Sequence, residues 1–331
     1  MRRLLSTIML IAAAGAVVPA AAGTAAAAIR PDSQRFGVRL VDVPVSEAHN
    51  PRALRYIIDY LHPGEVIHRR ILVVCDESRR ARLTVYPDAA TITKGYFIGE
   101  AGATRSELTT WIRVQHPVLN LRPGGREMDM ITIRVPRIAT RGEHYGVIWV
   151  QQHARARTAS GVAINEVTRV GVRIYLGIGM GGAPPVKFAI TSITGATRDH
   201  RPLIVAHVRN TGGRAVDLAG TARLTQGPGG TTAGPFAEQQ VATLAPGQSG
   251  EVVFAPSRGL PRGAWQARIR LASGLNRATS SASIQLGAGT GGASLAGNLP
   301  AMLGGIGVIL IIVLATLFLA RRSQRTRRVP A

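Results

Sequence analysis

Beyond its first few dozen residues the chain is a succession of short apolar runs, most alternating with polar positions and separated by clusters of Pro, Gly, Asn and Asp. A period of two sets one face of a strand on a core and the other in water, and no long stretch keeps the helical period of 3.6. The pattern predicts strands at residues 36–41, 55–61, 66–75, 81–86, 109–114, 131–135, 145–151 and 167–176. A second series falls at 187–193, 203–210, 216–224, 239–244, 250–254, 264–271 and 278–286. Seven or eight strands at this spacing predict a sandwich. The fold class is therefore all-β, two immunoglobulin-like β-sandwich domains at 29–178 and 187–286, joined by a Gly- and Pro-rich linker at 179–186.

One local pattern occurs three times between strands: Leu61-His62-Pro63-Gly64, Leu121-Arg122-Pro123-Gly124 and Leu244-Ala245-Pro246-Gly247. Proline presets the first central position of a turn and glycine accepts the positive φ that a type II turn needs at the second. These are expected to be structural turns. The single cysteine, Cys75, continues the Ile71, Val73 alternation and reads as a small buried hydrophobe.

The ends differ from the middle. Met1-Arg2-Arg3, the apolar run from Leu4 to Val18 and the alanine-rich stretch to Ala28 read as a signal peptide over 1–28, cleaved between Gly23 and Ile29. Residues 301–320 carry no charge, and twenty helical residues span about 30 Å, one hydrocarbon thickness. Five arginines follow in 321–331. The expectation is a single-pass protein of the cytoplasmic membrane: ectodomain outside at the cell wall, flexible stalk at 287–300, transmembrane helix at 301–320 and basic cytoplasmic tail.

Charge sharpens the partner question. The chain carries a formal +22; two arginines lie in the leader and five in the tail, so +15 remains between them, nearly all arginine because Lys94 and Lys187 are the only lysines. Outside the cytoplasm such a balance points to anionic wall polymers or lipid headgroups, not to nucleic acid. Arg79, Arg80 and Arg82 at a predicted hairpin tip, with Arg155 and Arg157 in a predicted loop, are the candidate ligand-binding residues.

Catalytic and metal chemistry find no candidates. His62 and His68 flank Glu65, but the intervening Pro63-Gly64 breaks the helix that a zinc protease needs. Gly247-Gln248-Ser249-Gly250 misses the nucleophile elbow by one position and follows a turn where no elbow is expected. No phosphate-cradling loop, calcium loop or dinucleotide fingerprint is present, so neither enzymatic activity nor a cofactor is expected.

The arrangement resembles the WxL-interacting protein family of Gram-positive surfaces, on residues as well as order. Tyr56 to Gly64 and the run from Ile71 to Cys75 resemble that family's opening strand, turn and core strand. Asn120 to Gly124, Arg134-Val135-Pro136 and Gly142 to Val150 resemble its later turn and closing strands. Val205 to Gly212, Leu244 to Gly247 and Leu260-Pro261-Arg262-Gly263-Ala264-Trp265 resemble its second domain. The resemblance implies a non-enzymatic tether, its first domain binding peptidoglycan or another anionic cell-wall polymer and its second a secreted or surface protein partner. The arginine-rich composition suits an actinobacterial relative. A different reading of the same strands is an envelope assembly factor or chaperone-like scaffold, whose exposed edge accepts a strand from a secreted client.

Overall fold

The computed structural model describes residues 36–77, 79–157, 163–257 and 259–287. Its N-terminal part contains β1 (Phe36–Leu40), β2 (Ile57–Leu61), β3 (Val66–Cys75), β4 (Ala81–Thr93), β5 (Tyr96–Gly99), α1 (Glu107–Trp111), β6 (Ile112–Val114), β7 (Val118–Leu121), β8 (Arg126–Arg134), β9 (Gly142–Arg157) and β10 (Ala163–Ile178). They form two facing sheets, ordered β1-β3-β8-β6 and β2-β10-β9-β4-β5, with β7 also on β4. Alternation fills the space between them: Ile71, Val73, Cys75, Ile131 and Ile133 meet Leu83, Val85, Ile148, Val150 and Ile174 in one buried cluster. Cys75 is fully buried there.

The C-terminal part contains β11 (Phe188–Arg198), β12 (Arg201–Asn210), β13 (Val216–Thr225), β14 (Ala233–Ala237), β15 (Ala242–Leu244), β16 (Ser249–Phe254), β17 (Gly263–Ser273) and β18 (Asn276–Leu286). Sheets β11-β12-β16 and β14-β13-β17-β18 enclose a second core around Phe254, Trp265 and Ile269, with β15 pairing β13. The two sheets of this sandwich approach each other at their margins, although among the described residues no ladder joins β11 to β18. At Gly195 of β11 an added Cβ would collide with the Gln285 carbonyl of β18, and Gln239 donates its N–H to Val253 O beside the β16 edge at 2.8 Å. The molecule is thus all-β, built of immunoglobulin-like sandwiches.

All three Pro-Gly turns form as expected. Glu65, Gly125 and Gln248 donate their N–H to the carbonyls of His62, Arg122 and Ala245 at 3.1, 2.8 and 3.0 Å, and Gly64, Gly124 and Gly247 hold φ of 94°, 66° and 77°. Elsewhere boundaries move. The run 109–114, expected to be a strand, begins as α1: Ser106 Oγ accepts from Thr109 N while Thr109 Oγ1 accepts from Ser106 N, a capping box that starts a turn burying Leu108 and Trp111. The chain becomes extended at Ile112. β9 and β10 each run sixteen residues, well past the expected ends.

The membrane expectation is corrected here. Among the described residues α1 is the sole α-helix, five residues long, and no helix is long and apolar enough to cross a membrane. The signal peptide, the stalk from residue 288, the transmembrane helix at 301–320 and the tail lie outside the described residues, so the single-pass membrane localisation is not carried forward.

Candidate functional site: an open strand edge and the joint below it

β9 and β10 form one long antiparallel hairpin, in register from Ala163 opposite Arg157 to Ile178 opposite Gly142. On its other side β10 pairs β2, in parallel, only from Ile174 to Ile178. Residues 163–173 therefore hydrogen-bond to β9 alone among the described residues, and every second one turns its N–H and C=O away from the sheet. The remaining edges of this sandwich are short. β1 and β2 have five residues, β5 and β7 four and β6 three, and brevity is how native sheets blunt an edge. β10 has no such protection.

Its side chains change character along the open run. Even positions face the core: Val172 is buried, Val170 is partly buried against it, and Ile164 is 44% exposed. Val167, on the other face, is 42% exposed. An unpaired backbone with apolar side chains passing from core to surface is the surface that pairs with another strand. The outer face is fixed by specific contacts. Trp149 lies over Gly171, where an added Cβ would come within 2.6 Å of its ring, and Trp149 Nε1 donates to Glu100 O at 2.9 Å. Arg169 Nε and Tyr86 OH both donate to Gln151 Oε1, at 2.7 and 2.6 Å.

Below the paired end of β10, the two sandwiches meet on Asp217, a nearly buried carboxylate of β13. Its Oδ2 accepts from Arg52 Nε at 2.8 Å; Arg52 Nη2 also approaches at 2.7 Å, without hydrogen-bonding direction. Its Oδ1 accepts from Tyr175 OH at 2.9 Å and Thr243 OH at 2.7 Å, with Arg173 Nη1 at 3.4 Å. Aromatic rings complete the joint: Arg52 stacks on Tyr175 and Arg173 on Phe97. Arg52 arrives on the segment between β1 and β2, which reaches down to the second sandwich. Burial pushes the Tyr175 hydroxyl well above its ordinary range, and the neighbouring Asp217 charge adds to the shift, so it stays protonated and donates to Asp217 while its oxygen accepts from Arg173 Nη1 at 3.4 Å.

Beside this network lies a cleft of about 280 Å³ lined by Tyr60, Arg141, Glu143, Met180 and Arg214, among others. Glu143 Oε2 accepts from Tyr145 OH at 2.8 Å and Ala215 N at 2.7 Å. Burial raises its pKa, and these hydrogen bonds only partly oppose the shift.

The candidate arginines are placed as follows. Arg79 and Arg80 are exposed in the β3–β4 connection and Arg82 is exposed on β4, opposite Asn120 of β7. Arg155 and Arg157 are corrected from loop to strand: they belong to β9, opposite Asn165 and Ala163. Because Leu83 pairs Gln152, both groups lie toward the same end of one sheet. Sequence reasoning missed the Asp217 joint. The available signal was an acid set inside the apolar run Val216-Asp217-Leu218, in a strand that should carry none.

No family model and no curated protein matches the chain. Among solved structures it is similar to a Pseudomonas aeruginosa CupB2 chaperone, at 12% identity and TM-score 0.38, over 69% of this chain and 97% of that one. It is also similar to a Salmonella enterica SafA pilin in complex with the SafB chaperone, at 11% and 0.40, over 76% and 98%. A third is the ASH/PapD-like domain of human CEP192, at 14% and 0.28, over 53% and 100%. The resemblance to the WxL-interacting family is corrected by this outcome, since the turn signals that carried it are common to many sandwiches. The Gram-positive, actinobacterial and peptidoglycan-binding assignments fall with it.

Proposed function

We propose that this chain is a chaperone-like scaffold that accepts an extended segment of a client protein along the open edge of β10. The observation that carries the reading is the eleven-residue run 163–173, which among the described residues is hydrogen-bonded on one side only, in a sandwich whose other edge strands have five residues or fewer. A client strand laid there gains main-chain hydrogen bonds to β10 and sets alternate apolar side chains beside Val170 and Ile164. The Asp217 joint supports the same reading, because a platform held at a fixed angle to a second sandwich presents its edge without an ordering cost.

The test is hydrogen exchange of the protein with and without a soluble peptide of alternating apolar residues. Slowed exchange confined to the outward amides of 163–173 is expected. Ile164→Asp, at an exposed position, should weaken the peptide at least tenfold with an unchanged melting temperature. Binding that leaves this run unprotected, or that Ile164→Asp does not touch, would sink the reading.

A further inference from the structure

The second sandwich carries a charged face that the strand edge does not use. On the outward side of the β13-β17-β18 sheet, Arg223 sits directly opposite Arg268, with Ser281 next in the same rung. The following rung reads Thr221, Arg270, Thr279, and the one after it Ala219, Ala272, Arg277. All four arginines are exposed. They mark a diagonal across three strands, with steps of roughly 5 Å across and 7 Å along the sheet.

Like charges directly opposite on adjacent strands destabilise a sheet. Ordinary surfaces relieve such a pair with a carboxylate nearby. Here β14, β17 and β18 contain no acidic residue, and the only acid of β13 is the buried Asp217. Among the described residues none of the four arginines makes an ion pair or a side-chain hydrogen bond. What shares their rungs is hydroxyl: Thr221, Thr279 and Ser281, neutral donors that add to an anion site, while Glu238, just past β14, accepts from Gly220 N through Oε2 at 2.8 Å.

We propose that this face binds a linear polymer of phosphate groups, laid along the arginine diagonal. Guanidinium forks match phosphate oxygens two at a time, and side hydroxyls supply further donors. A line of charge fits a chain of anions more closely than a sheet of headgroups, which would engage a broad patch. Aromatic side chains are absent from these outward positions, so the polymer is held by its phosphates and no base is stacked. The proposal does not depend on the β10 edge, which lies on the other sandwich.

The test uses the full-length chain and fluorescently labelled inorganic polyphosphate, with anisotropy read over a series of salt concentrations. Arg223→Ser/Arg268→Ser/Arg270→Ser should weaken binding at least tenfold and flatten the salt dependence by about one counterion for each arginine removed, to order of magnitude. Arg79→Ser/Arg80→Ser/Arg82→Ser removes the same charge from the first sandwich and should leave affinity within twofold. The folding control is Arg268→Thr, expected to melt at the same temperature as the parent or higher because the opposed pair is relieved. The proposal is overturned if the two triple variants lose affinity equally, if neither does, or if polyglutamate of equal length or anionic phospholipid vesicles bind as tightly as polyphosphate.

Discussion

A single buried carboxylate gathers polar groups from both sandwiches. Asp217 receives Arg52, Tyr175 and Thr243, while its own N–H is taken by Ser273 Oγ at 3.1 Å. Removing one partner of a buried pair leaves the other charged and unsolvated, a loss of about 3–5 kcal/mol. Asp217→Ala should therefore lower the unfolding free energy read from urea titration by that amount, whereas Tyr175→Phe, which deletes one neutral donor, should cost about 1 kcal/mol. Equal losses in the two variants would show that the carboxylate is not the hub. Gly171 makes a steric prediction of its own. A valine there meets Trp149 and Val147 within 2.7 Å, and overpacking of this kind costs about 1–3 kcal/mol. Part of that loss should return when Trp149→Leu is added, as read by thermal melting of the single and double variants.

The elements show what was legible and what was not. The Pro-Gly turns are local chemistry, so Gly64, Gly124 and Gly247 take the backbone that the sequence demanded. The period-two runs are equally local, and the cores around Ile71, Ile148 and Ile269 follow from them. Strand ends were less legible. The outer halves of β9 and β10 read Gln-Gln-His-Ala-Arg and Ala-Ile-Asn-Glu, polar enough to pass for loop, and only their mutual pairing keeps them extended. Arg155 and Arg157 were misplaced for that reason. α1 was hidden because Thr109, a β-former by propensity, acts through its hydroxyl as half of a capping box.

Glu143, at the start of β9, gives this scale a pH prediction. Its folded pKa is raised above the ordinary 4.5, so the folded state holds the proton more tightly than the unfolded state. The contribution to stability is fully present below the unfolded value and is lost as pH rises through the folded value. Both hydrogen bonds fall on one oxygen, which a glutamine retains. Glu143→Gln should thus remove the decline in stability across that window and equal or exceed the parent at neutral pH. Urea titrations from pH 4 to 8 check it; an unchanged pH slope would show that Glu143 is already solvated.

At the scale of the whole molecule, partners distant in the chain complete each unit. β2 is closed by β10, with Ile57 beside Ile174, and Arg52 waits for a carboxylate 165 residues further on. A ribosome making this chain from its N-terminus releases the arginine long before the aspartate, and the first sandwich remains unsealed until residues 174–178 have emerged. During that interval Arg52 stays in water and the apolar face of β2 has no neighbour. Nascent chains stalled just before residue 174 should accordingly be cut rapidly by added protease, those stalled well beyond 178 should resist within the first sandwich, and those extending past Asp217 should gain resistance at the segment carrying Arg52. The last protection comes from the youngest part of the chain, so a molecule truncated late would carry a finished strand edge on a joint that has not yet locked.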